Sequence, residues 1–151
     1  MHIYWKYIDK RQATISALRD RPYMEYILAN TEAQVKEAYD SVTDTKGISL
    51  EHTTTPVDPH AGESKIAGML DKIDLMQERY REAQEYMNWF LPAWETLSED
   101  DKYILEEFYA KDHEYGDATV DLLAEHFHIE RASAYRRKNR AVERLTTLLY
   151  G

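Results

Sequence analysis

The sequence predicts an all-α protein: a long antiparallel helical hairpin over residues 1–96, followed by a C-terminal trihelical helix-turn-helix domain over residues 97–151. Three observations carry this expectation. Apolar or small side chains recur at alternating spacings of three and four across residues 66 to 94, the period of a helix packed along its length against another. Five Gly and four Pro in 151 residues are too few to punctuate many short strands. The last third places a strongly basic segment after a short amphipathic one, the order of a supporting helix and a groove-reading helix.

From the amino terminus, Ile8, Ile15 and Leu18 outline a separate first helix. Pro22 suits the opening turn of the next, because its ring fixes φ and disfavours helical geometry at Arg21. Leu28, Thr31, Val35, Ala38 and Val42 form one side of the seam. Residues 43–63, containing SLEHTTTPVDPHAG, read as the hairpin loop. The second long helix presents Ile66, Met69, Ile73, Met76, Tyr80, Ala83, Met87 and Phe90, with mostly charged and amide side chains between them. Pro92 is expected to end that helix near Phe90, leaving Trp94 at a kink or in a following turn. Packing within one chain and packing between two copies both satisfy this seam, since Met and Tyr are not a strict dimer code.

A domain boundary is expected near Leu97. Ser98 followed by Asp101 resembles a capping box, and the helix it starts offers Tyr103, Ile104, Leu105, Phe108 and Tyr109 to a core. Residues 111–117, KDHEYGD, are a polar loop whose Asp117 can cap a helix carrying Val120, Leu123, Ala124 and Phe127. His128 and Ile129 make the turn into a basic helix over 130–145. His128 holds a position where the backbone tends to be left-handed. With Ala134 small, the core contacts of the basic helix fall to Tyr135, Val142 or Leu145.

Charge points to the partner. Between residues 129 and 151, six bases and two acids leave a net of +4 in a chain of formal net charge -9. Duplex DNA is the partner such a helix fits. Arg131, Ser133, Arg136 and Arg137 occupy its first two turns, where base edges are reached. Arg140 and Arg144 suit phosphates, and Tyr135 and Lys138 complete the candidate surface. Residues 97–128 hold ten acids against Lys102 and Lys111, which makes the whole domain net -4. Binding by one domain is therefore expected to be weak, and a homodimer is expected, joined through the hairpin or the aromatic segment around Tyr4, Trp5 and Tyr7. The acidic face offers a docking surface for RNA polymerase.

Other functions find less support. His113, His126 and His128 lack a third ligand at fixed spacing, and the chain has no cysteine, so no metal or cofactor is expected. No nucleophile, phosphate-cradling glycine loop or metal pattern accompanies any acidic pair, which argues against an enzyme. Twelve Tyr, three Trp and three Phe are too much aromatic surface for a disordered acidic chain. The start, MHIYWKYIDKRQ, has no apolar run of signal-peptide length, and no segment approaches a membrane span. A cytoplasmic protein is expected.

Residues 97–145 resemble the sigma region 4-like domain of phage-encoded transcriptional regulators of the ArpU and RinA type. The resemblance lies in Leu97 and Ser98, the apolar helix ending in Phe108 and Tyr109, Ala124, Ile129, the triplet Tyr135-Arg136-Arg137, and Ala141, Val142 and Leu145. It implies a regulator of phage or prophage genes in a bacterial host, acting by sequence-specific DNA binding. A DNA-packaging protein of the small terminase kind, or a helical module serving only protein contacts, is the alternative. The carboxy-terminal position of the helix-turn-helix favours the regulator over packaging, where an amino-terminal one is expected.

Overall fold

Two long helices form where the heptad pattern predicts them, and both run further than expected. The computed structural model describes residues 8–48, 60–111 and 116–151, and these are all-α. Helix α1 is Lys10–Ile48, α2 is Ala61–Thr96, α3 is Glu99–Leu105, α4 is Gly116–Phe127 and α5 is Arg131–Tyr150. A π turn at Glu106–Ala110 continues α3. Tyr4, Trp5, Tyr7, His113 and residues 49–59 of the expected hairpin loop lie outside the described residues. No helix among the described residues is long and apolar enough to cross a membrane.

Packing divides the chain into two compact units, Glu25–Glu85 and Met1–Met24 with Tyr86–Gly151. In the first, α1 and α2 lie together as a hairpin-like pair. Ile27, Thr31 and Val42 of α1 are buried, as are Ile73 and Ala83 of α2. The other seam positions in this unit, Leu28, Val35, Ala38, Ile66, Met69, Met76 and Tyr80, are half-buried. Thr31 is tolerated in the seam because its hydroxyl donates to the Ile27 carbonyl at 2.7 Å, which satisfies a buried polar atom within its own helix.

In the second unit, the start of α1 and the end of α2 share one core with α3, α4 and α5. Leu18, Phe90, Trp94, Leu105, Val142 and Leu145 are among the side chains of this cluster. Phe90 stacks on Tyr86 at 5.3 Å and on Trp94 at 5.8 Å between ring centres. The Tyr86 hydroxyl donates to the Ala17 carbonyl at 2.6 Å. The boundary near Leu97 is thus a break between helices: Leu97 itself is buried in the shared core.

Several expectations about helix ends are corrected. Pro22 opens no new helix, and no separate first helix exists: α1 is continuous with Pro22 inside it. Pro92 likewise lies inside α2, which runs on to Thr96, so Trp94 is a helical residue and does not lie in a following turn. An interior proline costs about 3 kcal/mol, because the Leu18 and Asn88 carbonyls each lose an amide donor. Burial of Ile15 and Leu18 before one proline, and of Ala93 and Trp94 after the other, offsets this at about 1.5–3 kcal/mol for each large apolar side chain. The expected loop at 43–63 shrinks at both ends, since α1 reaches Ile48 and α2 begins at Ala61. The end of α1 is polar but holds no Pro, the Ser41 and Thr43 hydroxyls donate to carbonyls one turn back, and the helix continues to Ile48.

Candidate nucleic-acid interface

The α3–α4–α5 region is built from local signals of cap and turn. Ser98 is extended, and its hydroxyl oxygen accepts from the Asp101 amide at 3.2 Å, as its cap position predicts. Asp117 lies inside the first turn of α4 instead of capping it. Its carboxylate there accepts from the Tyr135 hydroxyl at 3.1 Å, which ties α4 to α5. At the other end of α4, His128 has φ 53°. The His128 amide donates to the Glu125 carbonyl at 3.3 Å and the Ile129 amide to the Ala124 carbonyl at 2.9 Å. These paired bonds are the Schellman ending, with Ala124 and Ile129 both packed on the core. The turn therefore sets the direction in which α5 leaves.

Helix α5 begins one residue later and ends five residues later than the expected 130–145, with Glu130 as its N-cap residue. The Glu130 carboxylate makes no capping bond. Ala134, Ala141, Val142 and Leu145 are buried, so the core is met by Ala134 itself, with Val142 and Leu145. Tyr135 stays exposed and is not a core residue, because its hydroxyl is held at Asp117.

At about 100° per residue, the face opposite this core carries Ser133, Arg136, Asn139, Arg140 and Glu143, all but Ser133 exposed. Five of the lining residues of a shallow depression of about 670 Å³ come from this face, with Arg137 and Ile129 at its edge. The Arg136 guanidinium donates to the Ser133 hydroxyl at 3.1 Å. No carboxylate pairs with Arg136 or Arg140 among the described residues.

The other candidate side chains stand in different surroundings. Arg131 reaches Asp121 at 3.1 Å and Asp117 at 3.6 Å. Arg137 lies over the Phe127 ring at 4.9 Å. Lys138 lies between the Phe108 and Tyr135 rings at 5.0 and 5.3 Å, where burial, and after it the nearby Arg11, hold its pKa below the ordinary lysine value. Arg144 pairs with the buried carboxylate of Asp101, which fastens α5 to the first turn of α3. The sequence-derived set thus separates into an outward group, Ser133, Arg136 and Arg140, and a group engaged with the protein itself, Arg131, Tyr135, Arg137, Lys138 and Arg144.

Asn139 and Arg11 were absent from that set. Asn139 falls on the outward face by helical spacing alone, three residues after Arg136, and a full turn-by-turn projection of the basic helix finds it. Arg11 donates to the Asn139 side-chain oxygen at 3.0 Å across 128 residues of sequence, and no local pattern signals that. Of the candidate histidines, the two described have structural places: His126 stacks on Tyr103 at 4.3 Å, and His128 forms the turn. Among the described residues no cluster of His, Cys, Asp or Glu is arranged to hold a metal ion. Comparison with family models, with curated proteins and with solved structures gave no match.

Proposed function

We propose that the chain is a sequence-specific DNA-binding transcriptional regulator of the sigma region 4-like kind found in phages and prophages. Helix α5 reads the major groove, double-stranded DNA is the partner, and the protein carries out no catalysis. The observation that supports this best is the outward face of α5. It presents two arginines unpaired by carboxylates, an asparagine and a serine beside a tightly turned supporting helix. Arg pairs bidentately with guanine and Asn with adenine in the major groove, and the rest of α5 is fixed to α3 and α4 so that this face is preorganised. The acidic surfaces of α3 and α4 are left for a protein partner, RNA polymerase in this reading, in the cytoplasm of a bacterial host.

Selection of bound duplexes from a random library by the full-length chain tests the proposal. A recovered motif is expected, and Arg136→Ala should relax preference at one base position, a bidentate contact being worth about 1–3 kcal/mol of discrimination. No enrichment by the parent chain would instead support a module for protein contacts, which the net charge of -4 over residues 97–151 favours.

A further inference from the structure

Helix α1 begins beside α5, held there by three contacts within one compact unit. The Lys10 ammonium donates to the Tyr150 and Gly151 carbonyls at 3.3 and 2.9 Å, placing a cation on the carboxyl end of α5, where backbone carbonyls lack partners and the helix dipole is negative. The Thr14 and Thr146 hydroxyls share a hydrogen bond of 2.9 Å, with Thr14 fully buried. Between them in sequence, Arg11 donates to Asn139. Arg11 is exposed, and its position is set by its neighbours.

Around α5, Asn139 and Thr146 mark the side that α1 covers, while Arg144 marks the side that α3 covers. The outward face with Arg136 and Arg140 lies between them. A helix lying in a major groove about 12 Å wide has a phosphate backbone on each side. On the α3 side stands Arg140, which lines a cavity with Ser98, Asp101 and Arg144. On the α1 side the cation is Arg11. A guanidinium has five N–H donors, and the single bond to Asn139 leaves the others for phosphate oxygens.

We infer that Arg11, contributed by the first helix of the chain, is a DNA-phosphate contact that flanks α5 on the side opposite Arg140. The interface would then be assembled from both ends of the sequence. This rests on the groove reading of α5, and it adds a residue and a second backbone strand to it.

The test uses the full-length chain and a random-sequence duplex of about 25 base pairs, with binding measured across salt concentrations, because each phosphate contact contributes about 0.9 to the slope of log affinity against log salt. Arg11→Gln should lower that slope by about one and weaken binding severalfold at low salt. Arg11→Lys, which keeps the charge, should hold the slope near the parent's. Thermal unfolding by circular dichroism should be alike for parent and both variants. A parent-like slope in Arg11→Gln, with Arg140→Gln reducing it, overturns the assignment of Arg11 and leaves the groove reading standing. Equal losses in Arg11→Gln and Arg11→Lys overturn it as well, since the Asn139 contact and not the charge would then matter. Absence of any binding by the parent chain at low salt removes both proposals.

Discussion

Arg140 and Arg144 stand about one turn apart on α5, yet their surroundings give them different work. Arg144 pairs with Asp101, a carboxylate only 7% exposed. Removing one partner of a buried pair strands the other charge, at about 3–5 kcal/mol when both are buried. Arg144 is itself half exposed, and a smaller loss of about 1–3 kcal/mol is expected for Arg144→Ala on the same scale. Arg140→Ala should leave the urea midpoint unchanged and lower the salt slope of DNA binding by about one. Parallel unfolding and binding curves check the contrast; matching profiles for the two variants would contradict it. Arg131 is a third case, because Asp121 and Asp117 hold it in exposed ion pairs worth about 0.2–1 kcal/mol. Asp121→Asn removes the nearer of these two carboxylates, loosening the hold on the guanidinium, and removes a charge that repels phosphate. The expected gain in duplex affinity is up to about fivefold at low salt, from the top of that energy range; unchanged or weaker binding counts against α5 as the DNA-contacting element. In the sequence Arg140 and Arg144 looked alike, both suited to phosphates, and Arg131 stood with the residues reaching base edges. What separates them is the identity of the facing side chain on α3 or α4, which spacing along one helix does not encode.

At the scale of elements, the legible features were those with a strong local period or a local chemical cap. Each seam position from Ile66 to Trp94 is buried or half-buried, because a heptad fixes which face turns inward before any tertiary partner is known. The Ser98 cap and the left-handed turn at His128 were equally local. Helix ends were misjudged wherever tertiary burial outweighed a local breaker, as at Pro22 and Pro92, and the π turn at Glu106–Ala110 gave no signal at all. Pro22 is exposed, so its ring contributes little packing to set against the hydrogen bond it removes. Pro22→Ala is therefore expected to raise stability, by up to about 3 kcal/mol if the helix is otherwise regular there. A urea titration reads this directly. A lower midpoint in the variant would mean that the ring itself is needed for the packing of α1.

For the molecule as a whole, the proposed DNA binding by an acidic chain through one basic face would need help from valency. Two linked domains gain from effective concentration, and a homodimer is expected in sedimentation at tens of micromolar concentration. A strict monomer that nonetheless binds a selected duplex tightly would exclude it. The seam residues of Glu25–Glu85 are already used within one chain, which moves the expected dimer contact away from that seam. The sequence suggested a domain boundary near Leu97, but the start of α1 and the end of α2 pack in one compact unit with α3, α4 and α5. Ile15, Leu18, Phe90 and Trp94 belong to the same buried cluster as Leu105, Val142 and Leu145. Contacts between residues so distant in sequence leave no mark on local periodicity, and the composition of residues 97–151 looks sufficient without them. The energetics say otherwise. Losing four large buried side chains at about 1.5–3 kcal/mol each removes about 6–12 kcal/mol, comparable to the whole stability of about 5–15 kcal/mol typical of a domain. A fragment of residues 97–151 should therefore lack cooperative thermal unfolding and should bind DNA poorly, although it contains all of α5. Restoring residues 1–24 and 86–96 by expressing the intact chain should recover both properties. Cooperative unfolding of the isolated fragment, with parent-like affinity, would show that α3, α4 and α5 suffice as a domain and that the first helix is dispensable to the interface.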